Sequence, residues 1–362
     1  MRIVIAGGGT GGHLFPGIAI AQEFMERDSH NRVLFVSTGK PFEISVLADA
    51  GFTHKRIASE GIKGRNRWQQ AMAVSKLPTG ILTSVGVLWN FKPDLVVGVG
   101  GYSAGPVVAG AWLLRKKIVL QEQNLLPGIT NRMLAPFAHR IYISFKKTGD
   151  YFNSKNCRFL GNPVRKALYQ TNGNRVRAEK AGKPFTVLIV GGSQGAHSIN
   201  VAIMEAISCI ESRQGIRFIH QTGTRDVATV EDAYRRTAVS GTVQAFFMDM
   251  ASQFQHADLV ICRAGATTVA EITAVGKAAI YIPFPHAADN HQVLNAGDLE
   301  AAGAAEMILE KNLTGPYLAQ RIDHYRSNPD AIDQMAAAAK ACGKPDAAEK
   351  IVNDCYALVD CK

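Results

Sequence analysis

The chain has 362 residues, of which 47% are hydrophobic and 19% charged, and a formal net charge of +10. This length and apolar content suit about two folded domains and exclude wholesale disorder. The charge is uneven: residues 1–164 hold 20 Lys and Arg against 9 Asp and Glu, a net +11, whereas the remainder is close to neutral. A basic half indicates a polyanionic partner: nucleic acid, an anionic membrane surface or a phosphorylated substrate.

Short apolar runs alternate with helical patterns, and several runs are apolar throughout, as in strands buried on both faces of a parallel sheet. This alternation predicts doubly wound α/β domains. The predicted strands are residues 3–6, 33–37, 95–99, 118–121, 141–144, 186–190, 218–221, 243–247, 259–262 and 279–282. The predicted helices are residues 17–26, 104–114, 199–210, 268–275 and 292–301, with an all-helical region after about residue 315.

A strand followed by a glycine-rich loop and a helix occurs twice, with loops at residues 7–12 and 191–196. Residues 170–184 between them are polar and read as a linker. We therefore predict a first domain over 1–164, a linker over 165–184 and a second domain over 185–340. A last helix within 341–362 is expected to pack back on either domain.

The cysteines and the N-terminus bear on the compartment. None of the six cysteines forms a Cys-x-x-Cys pair or lies beside a histidine at zinc-ligand spacing, so we expect a reducing compartment. The apolar run at residues 3–6 is too short for a signal peptide, and no run of about 18 apolar residues occurs. Any membrane contact is therefore expected to be peripheral.

The loop at residues 7–12 has the Gly-x-Gly-x-x-Gly spacing that lets a helix N-terminus approach a phosphate. A dinucleotide site also needs an acid after the second strand, and that strand ends Val36-Ser37-Thr38 without one. A third such loop follows at residues 98–106. Three loops suit a phosphorylated donor and a phosphorylated acceptor, and the alternative is tight turns that need glycine for backbone reasons alone.

Seven segments, in order and at family-like spacing between residue 1 and about 315, resemble signatures of the MurG-type transferases. They are residues 7–17 (GGGTGGHLFPG), 100–106 (GGYSAGP), 122–124 (EQN), 161–165 (GNPVR), 191–196 (GGSQGA), 263–271 (RAGATTVAE) and 283–292 (PFPHAADNHQ). The resemblance implies the GT-B architecture, in which two Rossmann-like domains with parallel sheets face each other across a cleft.

The resemblance also implies an activity. The family moves N-acetylglucosamine (GlcNAc) from UDP-GlcNAc to the C4 hydroxyl of the N-acetylmuramoyl (MurNAc) unit of lipid I, with inversion, giving lipid II and UDP. This is a step of peptidoglycan precursor synthesis, on which cell shape and cell division depend. UDP-GlcNAc is then a substrate and no cofactor is expected. The sequence has no Asp-x-Asp motif, so no protein-bound metal is predicted.

By resemblance, the donor is bound through Thr10, Gly11, Gly12, Asn124, Arg165, Ser193, Phe247, Ala266, Thr267, Thr268, Val269, Ala270, Glu271 and Gln292. Within this set, Ser193 contacts the phosphates, the Phe247 backbone meets uracil and Glu271 holds the ribose. Gln292 reads the sugar hydroxyls and His291 assists it. The plainer alternatives are a helix N-cap for Ser193, a core aromatic for Phe247 and a solvated first-turn glutamate for Glu271.

Acceptor binding is assigned by resemblance to Gly100, Gly101, Tyr102 and Ser103. The attacking sugar hydroxyl must lose a proton, and a histidine titrates near neutral pH, so His13 is the first candidate for the general base. Glu122 is the second candidate. The alternative for His13 is a side chain that caps its loop by hydrogen bonding. Gln121 stands where many relatives have a histidine.

Residues 63–117 interleave basic and apolar side chains, and all three tryptophans of the chain lie there. This pattern favours a peripheral protein on the anionic cytoplasmic face of the cell (inner) membrane, and cell-wall synthesis complexes are candidate partners. The alternative is an amphipathic helix with its tryptophan in the core. The residues concerned are Lys63, Arg65, Arg67, Lys76, Arg115, Lys116 and Lys117, with Trp68, Leu77, Ile81, Leu82, Leu88, Trp89 and Trp112.

Three rival functions remain at this stage. Another GT-B lipid glycosyltransferase, such as a diacylglycerol glycosyltransferase, is disfavoured by the His13 loop and by residues 102–105. A UDP-GlcNAc 2-epimerase shares the fold but has no need of a basic amphipathic face. A nucleic-acid-binding protein suits the charge, yet the sequence lacks a helix-turn-helix, RRM, KH or zinc pattern.

Overall fold

The computed structural model describes residues 1–57, 59, 77–152, 156–170, 183–192, 195–210 and 212–360. The chain divides into two compact units. Unit 1 comprises Met1–Arg165 together with Lys344–Lys362, and unit 2 comprises Lys166–Gly343. Each unit is built around its own parallel sheet.

Unit 1 contains a seven-stranded sheet in the order β3-β2-β1-β4-β5-β6-β7, and the paired strands are parallel. Its strands are β1 (Arg2–Ala6), β2 (Arg32–Ser37), β3 (Thr53–Arg56), β4 (Leu95–Gly98), β5 (Lys117–Glu122), β6 (Arg140–Ile143) and β7 (Cys157–Phe159). Its helices are α1 (Gly11–Arg27), α2 (Pro41–Asp49), α3 (Leu77–Phe91), α4 (Ala104–Leu113), α5 (Ile129–Leu134) and the C-terminal helix (Ala347–Asp360).

Side chains of β1 alternate between two cores, as the two-residue period of a strand requires. Ile3 and Ile5 pack in one core with α1 and the C-terminal helix. Val4 and Ala6 pack in the other with α3 and α4. The sheet of unit 1 is therefore buried on both faces, which explains why its central strands are apolar throughout.

The C-terminal helix is fixed to unit 1 by apolar and polar contacts. Asp354 accepts a hydrogen bond from the Tyr142 hydroxyl at 2.9 Å and pairs with Arg140 at 3.3 Å and Arg158 at 3.2 Å. Beside it, Cys355 is fully buried in the core shared with β1. The last helix is thus part of the first unit's core.

Unit 2 contains a six-stranded parallel sheet in the order β10-β9-β8-β11-β12-β13. Its strands are β8 (Phe185–Val190), β9 (Ile216–Gln221), β10 (Gly241–Gln244), β11 (Leu259–Cys262), β12 (Ala278–Tyr281) and β13 (Glu306–Met307). Its helices are α6 (His197–Cys209), α7 (Val227–Thr237), α8 (Met250–His256), α9 (Ala266–Val275), α10 (His291–Ala301), α11 (Gly315–Ser327) and α12 (Pro329–Cys342).

The predicted strands and helices are all present, with ends displaced by a few residues. One boundary was wrong: α1 begins at Gly11 rather than Gly17, because the amides of His13 and Leu14 already bond to the Thr10 carbonyl. Pro16 consequently lies in the second turn of α1. Strand β3 was missed because its sequence, Thr-His-Lys-Arg, is polar and forms a sheet edge.

Candidate active site

In unit 1 the loops that follow β1, β4 and β5 meet because these strands are neighbours in a parallel sheet. Each of these strands ends at the same edge, where residues 7–12, 99–103 and 123–128 follow them. Ligands of doubly wound sheets bind outside this edge. The structure therefore brings together the predicted base, its neighbours in the glycine loop and the predicted acceptor residues.

His13 lies half-buried in the first turn of α1. Its Nδ1 is 3.3 Å from the Thr10 hydroxyl, and its ring packs against the backbone of Gly100. Gly100 has φ +88°, and a Cβ there would lie 2.7 Å from Cδ2 of His13 and 3.0 Å from Nε2. Gly100 is thus required both by its backbone angle and by the imidazole.

The glycine loop at residues 7–12 is fixed by Glu43, a fully buried residue of α2. Its carboxylate accepts hydrogen bonds from the amides of Gly9 and Lys40 and from the hydroxyls of Ser37 and Thr38. Burial pushes its pKa upward, but these bonds outweigh burial and hold the pKa below the ordinary value. An ionised carboxylate therefore fixes the start of the loop that carries Thr10 and His13.

Glu122, the second candidate for the base, is fully buried at the end of β5. Its Oε1 accepts from the Asn124 amide at 3.0 Å, and its Oε2 accepts from the Gly128 amide at 3.0 Å and Asn131 Nδ2 at 2.8 Å. Burial raises its pKa despite these donors. Both oxygens are engaged in holding residues 124–131, an arrangement typical of a structural carboxyl group.

The residues around Glu122 are similarly tied. Gln121 is fully buried, and its Nε2 contacts Ser144 and the Gly161 carbonyl at 3.3 Å each, so it links β5 to residues 161–165. Asn124 is half-buried beside Glu122. The Arg165 guanidinium lies 4.3 Å from the centre of the Phe15 ring, which orients it from α1.

The predicted acceptor segment forms the N-terminus of α4. Gly101 has φ +80°, and a Cβ there would collide with the Gly8 carbonyl, so the two glycine loops touch. Ser103 is the buried N-cap residue of α4, and Tyr102 is 45% exposed. Thr10, Gly11, Gly12, Gly100, Gly101, Tyr102 and Ser103 therefore lie along one edge of the unit 1 sheet.

In unit 2, Phe247 follows β10 and is 6% exposed, so its ring does belong to the interior. Its backbone N–H donates to Gln221 Oε1 at 3.0 Å. Ser193 lies outside the described residues, but the N-cap of α6 is Ala196, so the N-cap alternative for Ser193 is wrong.

The predicted ribose contact lies on α9. Glu271 is its sixth residue and is 9% exposed, so the alternative of a solvated first-turn glutamate is wrong. The remaining predicted residues of this segment, Ala266, Thr267, Thr268, Val269 and Ala270, form the first turns of the same helix, whose N-cap is Gly265. A helix N-terminus favours an anion at this edge of the sheet.

Gln292 is the second residue of α10, which begins at His291 directly after two residues with left-handed backbone, Asp289 (φ 53°) and Asn290 (φ 54°). Such angles are uncommon for residues other than glycine and cluster at functional sites. Oε1 of Gln292 accepts from the Phe284 amide at 3.0 Å. This bond orients the side chain and leaves its Nε2 protons for a hydroxyl acceptor.

Arg263 joins three segments of unit 2 that sequence reasoning left unconnected. Its guanidinium pairs with Glu310 at 2.5 Å, donates to the Ser198 hydroxyl at 2.9 Å and donates to the carbonyls of Ile282 and Pro283. Arg263 therefore braces the ends of β11 and β12 against α6. Sequence reasoning gave no role to Glu43, Gln221 or Arg263, although Arg263 opens the segment at residues 263–271 and the Lys-Pro-x-Glu pattern at residues 40–43 signals a helix start.

The basic, tryptophan-containing region is described only in part, since residues 60–76, with Lys63, Arg65, Arg67, Trp68 and Lys76, lie outside the described residues. Trp89 is 67% exposed and Trp112 is 53% exposed, so the core alternative is wrong for both. Leu88 was wrongly placed on this face, because it is fully buried.

A cavity of about 560 Å³ adjoins Trp112, with basic side chains around it. Burial and the neighbouring charges of Lys117 and Arg140 lower the pKa of His139 in its wall. Within the described part of the chain, no helix is long and apolar enough to span a bilayer. The same residues contain no group of three His, Cys, Asp or Glu side chains arranged for a metal ion.

Comparison with known proteins identifies the family. Residues 3–143 match the glycosyltransferase family 28 N-terminal domain, and residues 186–351 match the glycosyltransferase family 28 C-terminal domain. Two full-length relatives are named UDP-N-acetylglucosamine--N-acetylmuramyl-(pentapeptide) pyrophosphoryl-undecaprenol N-acetylglucosamine transferase. That of Syntrophus aciditrophicus (strain SB) is 48% identical over 99% of each chain. That of Myxococcus xanthus (strain DK1622) is 42% identical over 99% of this chain and 93% of the relative.

Solved structures give the same fold. Acinetobacter baumannii MurG superposes with a TM-score of 0.75 at 29% identity, covering 97% of this chain and 98% of that one. A UDP-GlcNAc 2-epimerase from Neisseria meningitidis, bound to UDP-GlcNAc, superposes with a TM-score of 0.68 at 13% identity over 98% and 99% of the chains. At that identity the epimerase shares the fold alone.

Proposed function

This chain belongs to glycosyltransferase family 28, and we propose that its two units divide the transfer between them, unit 1 activating the acceptor and unit 2 holding the nucleotide sugar. The enzyme is a UDP-GlcNAc-dependent N-acetylglucosaminyltransferase that converts lipid I into lipid II in peptidoglycan precursor synthesis. Its architecture is GT-B, with two Rossmann-like units.

His13 is the proposed general base. The observation that carries this role is its placement: the ring is held between the Thr10 hydroxyl and Gly100 at the edge where three loops of unit 1 meet. The imidazole accepts the proton of the MurNAc C4 hydroxyl as that oxygen attacks the anomeric carbon of GlcNAc, with inversion. The hydrogen bond to Thr10 orients the ring, so the capping role and the catalytic role are compatible.

Glu122 is proposed as a positioning residue, because its oxygens already accept three hydrogen bonds of 2.8–3.0 Å from residues 124–131. It places Asn124 for the donor sugar. The acceptor's pyrophosphate is proposed to bind the N-terminus of α4 at Gly100, Gly101, Tyr102 and Ser103, because a helix N-terminus favours an anion.

The departing UDP gains negative charge on its diphosphate. Arg165, oriented by Phe15, and the loop that contains Ser193 stabilise this charge. The Phe247 carbonyl accepts from uracil, Glu271 accepts from the ribose hydroxyls, and Gln292 donates to the hydroxyls of GlcNAc. These groups need no protein cofactor, and UDP-GlcNAc is consumed as a substrate.

The enzyme is proposed to work as a peripheral protein on the cytoplasmic face of the cell membrane. Lipid I is anchored by an undecaprenyl chain, so the acceptor domain must reach the bilayer surface. Exposed Trp89 and Trp112 with Arg115, Lys116 and Lys117 support contact with anionic lipid. Cell-wall synthesis complexes are the proposed protein partners.

The test is incubation with UDP-[¹⁴C]GlcNAc and a short-chain lipid I analogue. We expect label in a lipid-linked disaccharide and equimolar UDP. Label in free GlcNAc or in N-acetylmannosamine, without a lipid product, would overturn the proposal in favour of hydrolysis or epimerisation.

A further inference from the structure

Gln221 joins two loops of unit 2 through the two ends of one side-chain amide. It is the last residue of β9 and is 2% exposed. Its Oε1 accepts the Phe247 N–H at 3.0 Å, and its Nε2 donates to the Gly192 carbonyl at 3.2 Å. The first contact lies in the segment after β10, and the second lies in the glycine loop after β8.

The sheet order places these loops on opposite sides of Gln221. Strand β9 lies between β8 and β10, so the two loops begin on strands about 10 Å apart. The Gln221 backbone already pairs with both neighbours, opposite Val190 and Gln244. Its side chain also connects the segments that follow β8 and β10, beyond the edge of the sheet where ligands of such folds bind.

The chemistry of the bridge requires an amide. Gly192 presents a carbonyl and needs a donor, whereas Phe247 presents an N–H and needs an acceptor. Glutamate keeps the acceptor and loses the donor, and methionine has a similar length but makes neither strong bond. The two halves of the bridge can therefore be removed separately.

We propose that Gln221 is a positioning residue that sets the span between the uracil contact at Phe247 and the diphosphate loop at Gly192. It thereby couples recognition of the base to recognition of the diphosphate. This inference rests on the nucleotide site proposed above. Without the bridge, each loop still binds its own part of the ligand. A ligand that contacts both loops must then also offset the entropy lost when the two loops are fixed relative to each other.

The test compares dissociation constants of uridine, UMP and UDP by calorimetric or competition titration for the wild type, Gln221→Met and Gln221→Glu. For Gln221→Met we expect UDP affinity to fall about tenfold, the factor that one net hydrogen bond supplies, and uridine affinity to change less than about twofold. Gln221→Glu keeps the Phe247 contact, so uridine binding stays at the wild-type level while UDP binding weakens further by charge repulsion.

Thr186→Val is the matched control. Thr186 is a buried residue at the opposite end of β8, and its hydroxyl donates to the Pro184 carbonyl at 3.1 Å. It should lower the melting temperature with UDP and uridine affinities unchanged. Equal losses for all three ligands in Gln221→Met, or no loss for UDP in either Gln221 variant, would overturn the inference. Absence of UDP binding by the wild type would instead refute the nucleotide site itself.

Discussion

Replacing Glu43 with glutamine tests how the glycine loop is held. The carboxylate of Glu43 accepts from two backbone amides, those of Gly9 and Lys40, and from two hydroxyls. Glutamine keeps one acceptor oxygen and turns an amide nitrogen towards the other donors. The hydroxyls can rotate to new partners, but the backbone N–H groups cannot.

The magnitude follows from these contacts. One buried N–H left without an acceptor costs about 1–3 kcal/mol, and the remaining bonds lose charge assistance worth about 1 kcal/mol. We expect Glu43→Gln to lower the free energy of unfolding by about 3 kcal/mol at pH 7. Because the loop carries Thr10 and His13, turnover should fall about tenfold or more.

The effect should depend on pH. The hydrogen bonds hold the pKa of Glu43 below its ordinary value of 4.5, so the carboxylate stabilises the fold above pH 4.5. This stabilisation is lost as pH falls through the lowered folded-state pKa. The difference between wild type and Glu43→Gln should therefore be largest near neutral pH and shrink in acid below pH 4.5.

Urea denaturation at pH 7 and in acid measures the free energy of unfolding, and steady-state kinetics at pH 7 measures turnover. Glu205→Gln is the control, because that carboxylate also accepts a backbone N–H, from Gly315 at 3.1 Å, but lies in unit 2. It should leave turnover unchanged. A Glu43→Gln variant of wild-type stability and turnover, or a stability difference that grows in acid, would refute the role given to this carboxylate.

Four further predictions follow from the described contacts. His13→Ala should lower turnover by about 10²-fold or more and leave UDP affinity unchanged. Asp354→Ala should lower the free energy of unfolding by about 2–3 kcal/mol in urea titrations, since it removes the carboxylate that pairs with the Tyr142 hydroxyl and with two arginines. Burial holds the pKa of His220 at about 3, so wild-type stability should fall as pH drops below 6.5, and His220→Gln should flatten that dependence in thermal melts. Trp112→Ser should reduce sedimentation with anionic vesicles, because Trp112 is 53% exposed.

Each of these has an outcome that contradicts it. Unchanged turnover in His13→Ala removes that residue from the base role, and wild-type stability of Asp354→Ala shows that the contacts of this carboxylate do not hold the last helix. A His220→Gln variant with the wild-type pH dependence places the titration elsewhere. If Trp112→Ser sediments with anionic vesicles as well as the wild type does, Trp112 has no part in membrane contact. If the wild type sediments equally with anionic and neutral vesicles, electrostatic docking through this face is refuted.

The sequence was sufficient to predict the central strands, since residues 3–6 and 186–190 are apolar throughout and are followed by glycine-rich loops. Edge elements were harder, because β3 is polar and β13 has only two residues. Their pairing is decided by neighbouring strands rather than by their own residues.

The site residues also differ in how far the sequence predicted them. His13 and Gln292 lie within motifs, so resemblance identified them. Glu43 was not identified because its carboxylate contacts the Gly9 amide, 34 residues away in sequence. That contact depends on how the chain turns at residues 38–40, and no local sequence pattern predicts this turn. Gln221 escaped because its two partners are distant in sequence, at Gly192 and Phe247, and meet only once the sheet has formed.

The return of the C-terminal helix to unit 1 has a consequence for synthesis. A ribosome releases the chain from the N-terminus, yet Ile351, Val352, Cys355 and Leu358 complete the core that surrounds Ile3 and Ile5. Unit 2, residues 166–343, is continuous in sequence and can fold as soon as it has emerged. The core of unit 1 can therefore be completed only after unit 2 has emerged, and until then the apolar residues of α1 lack the partners that residues 347–360 supply.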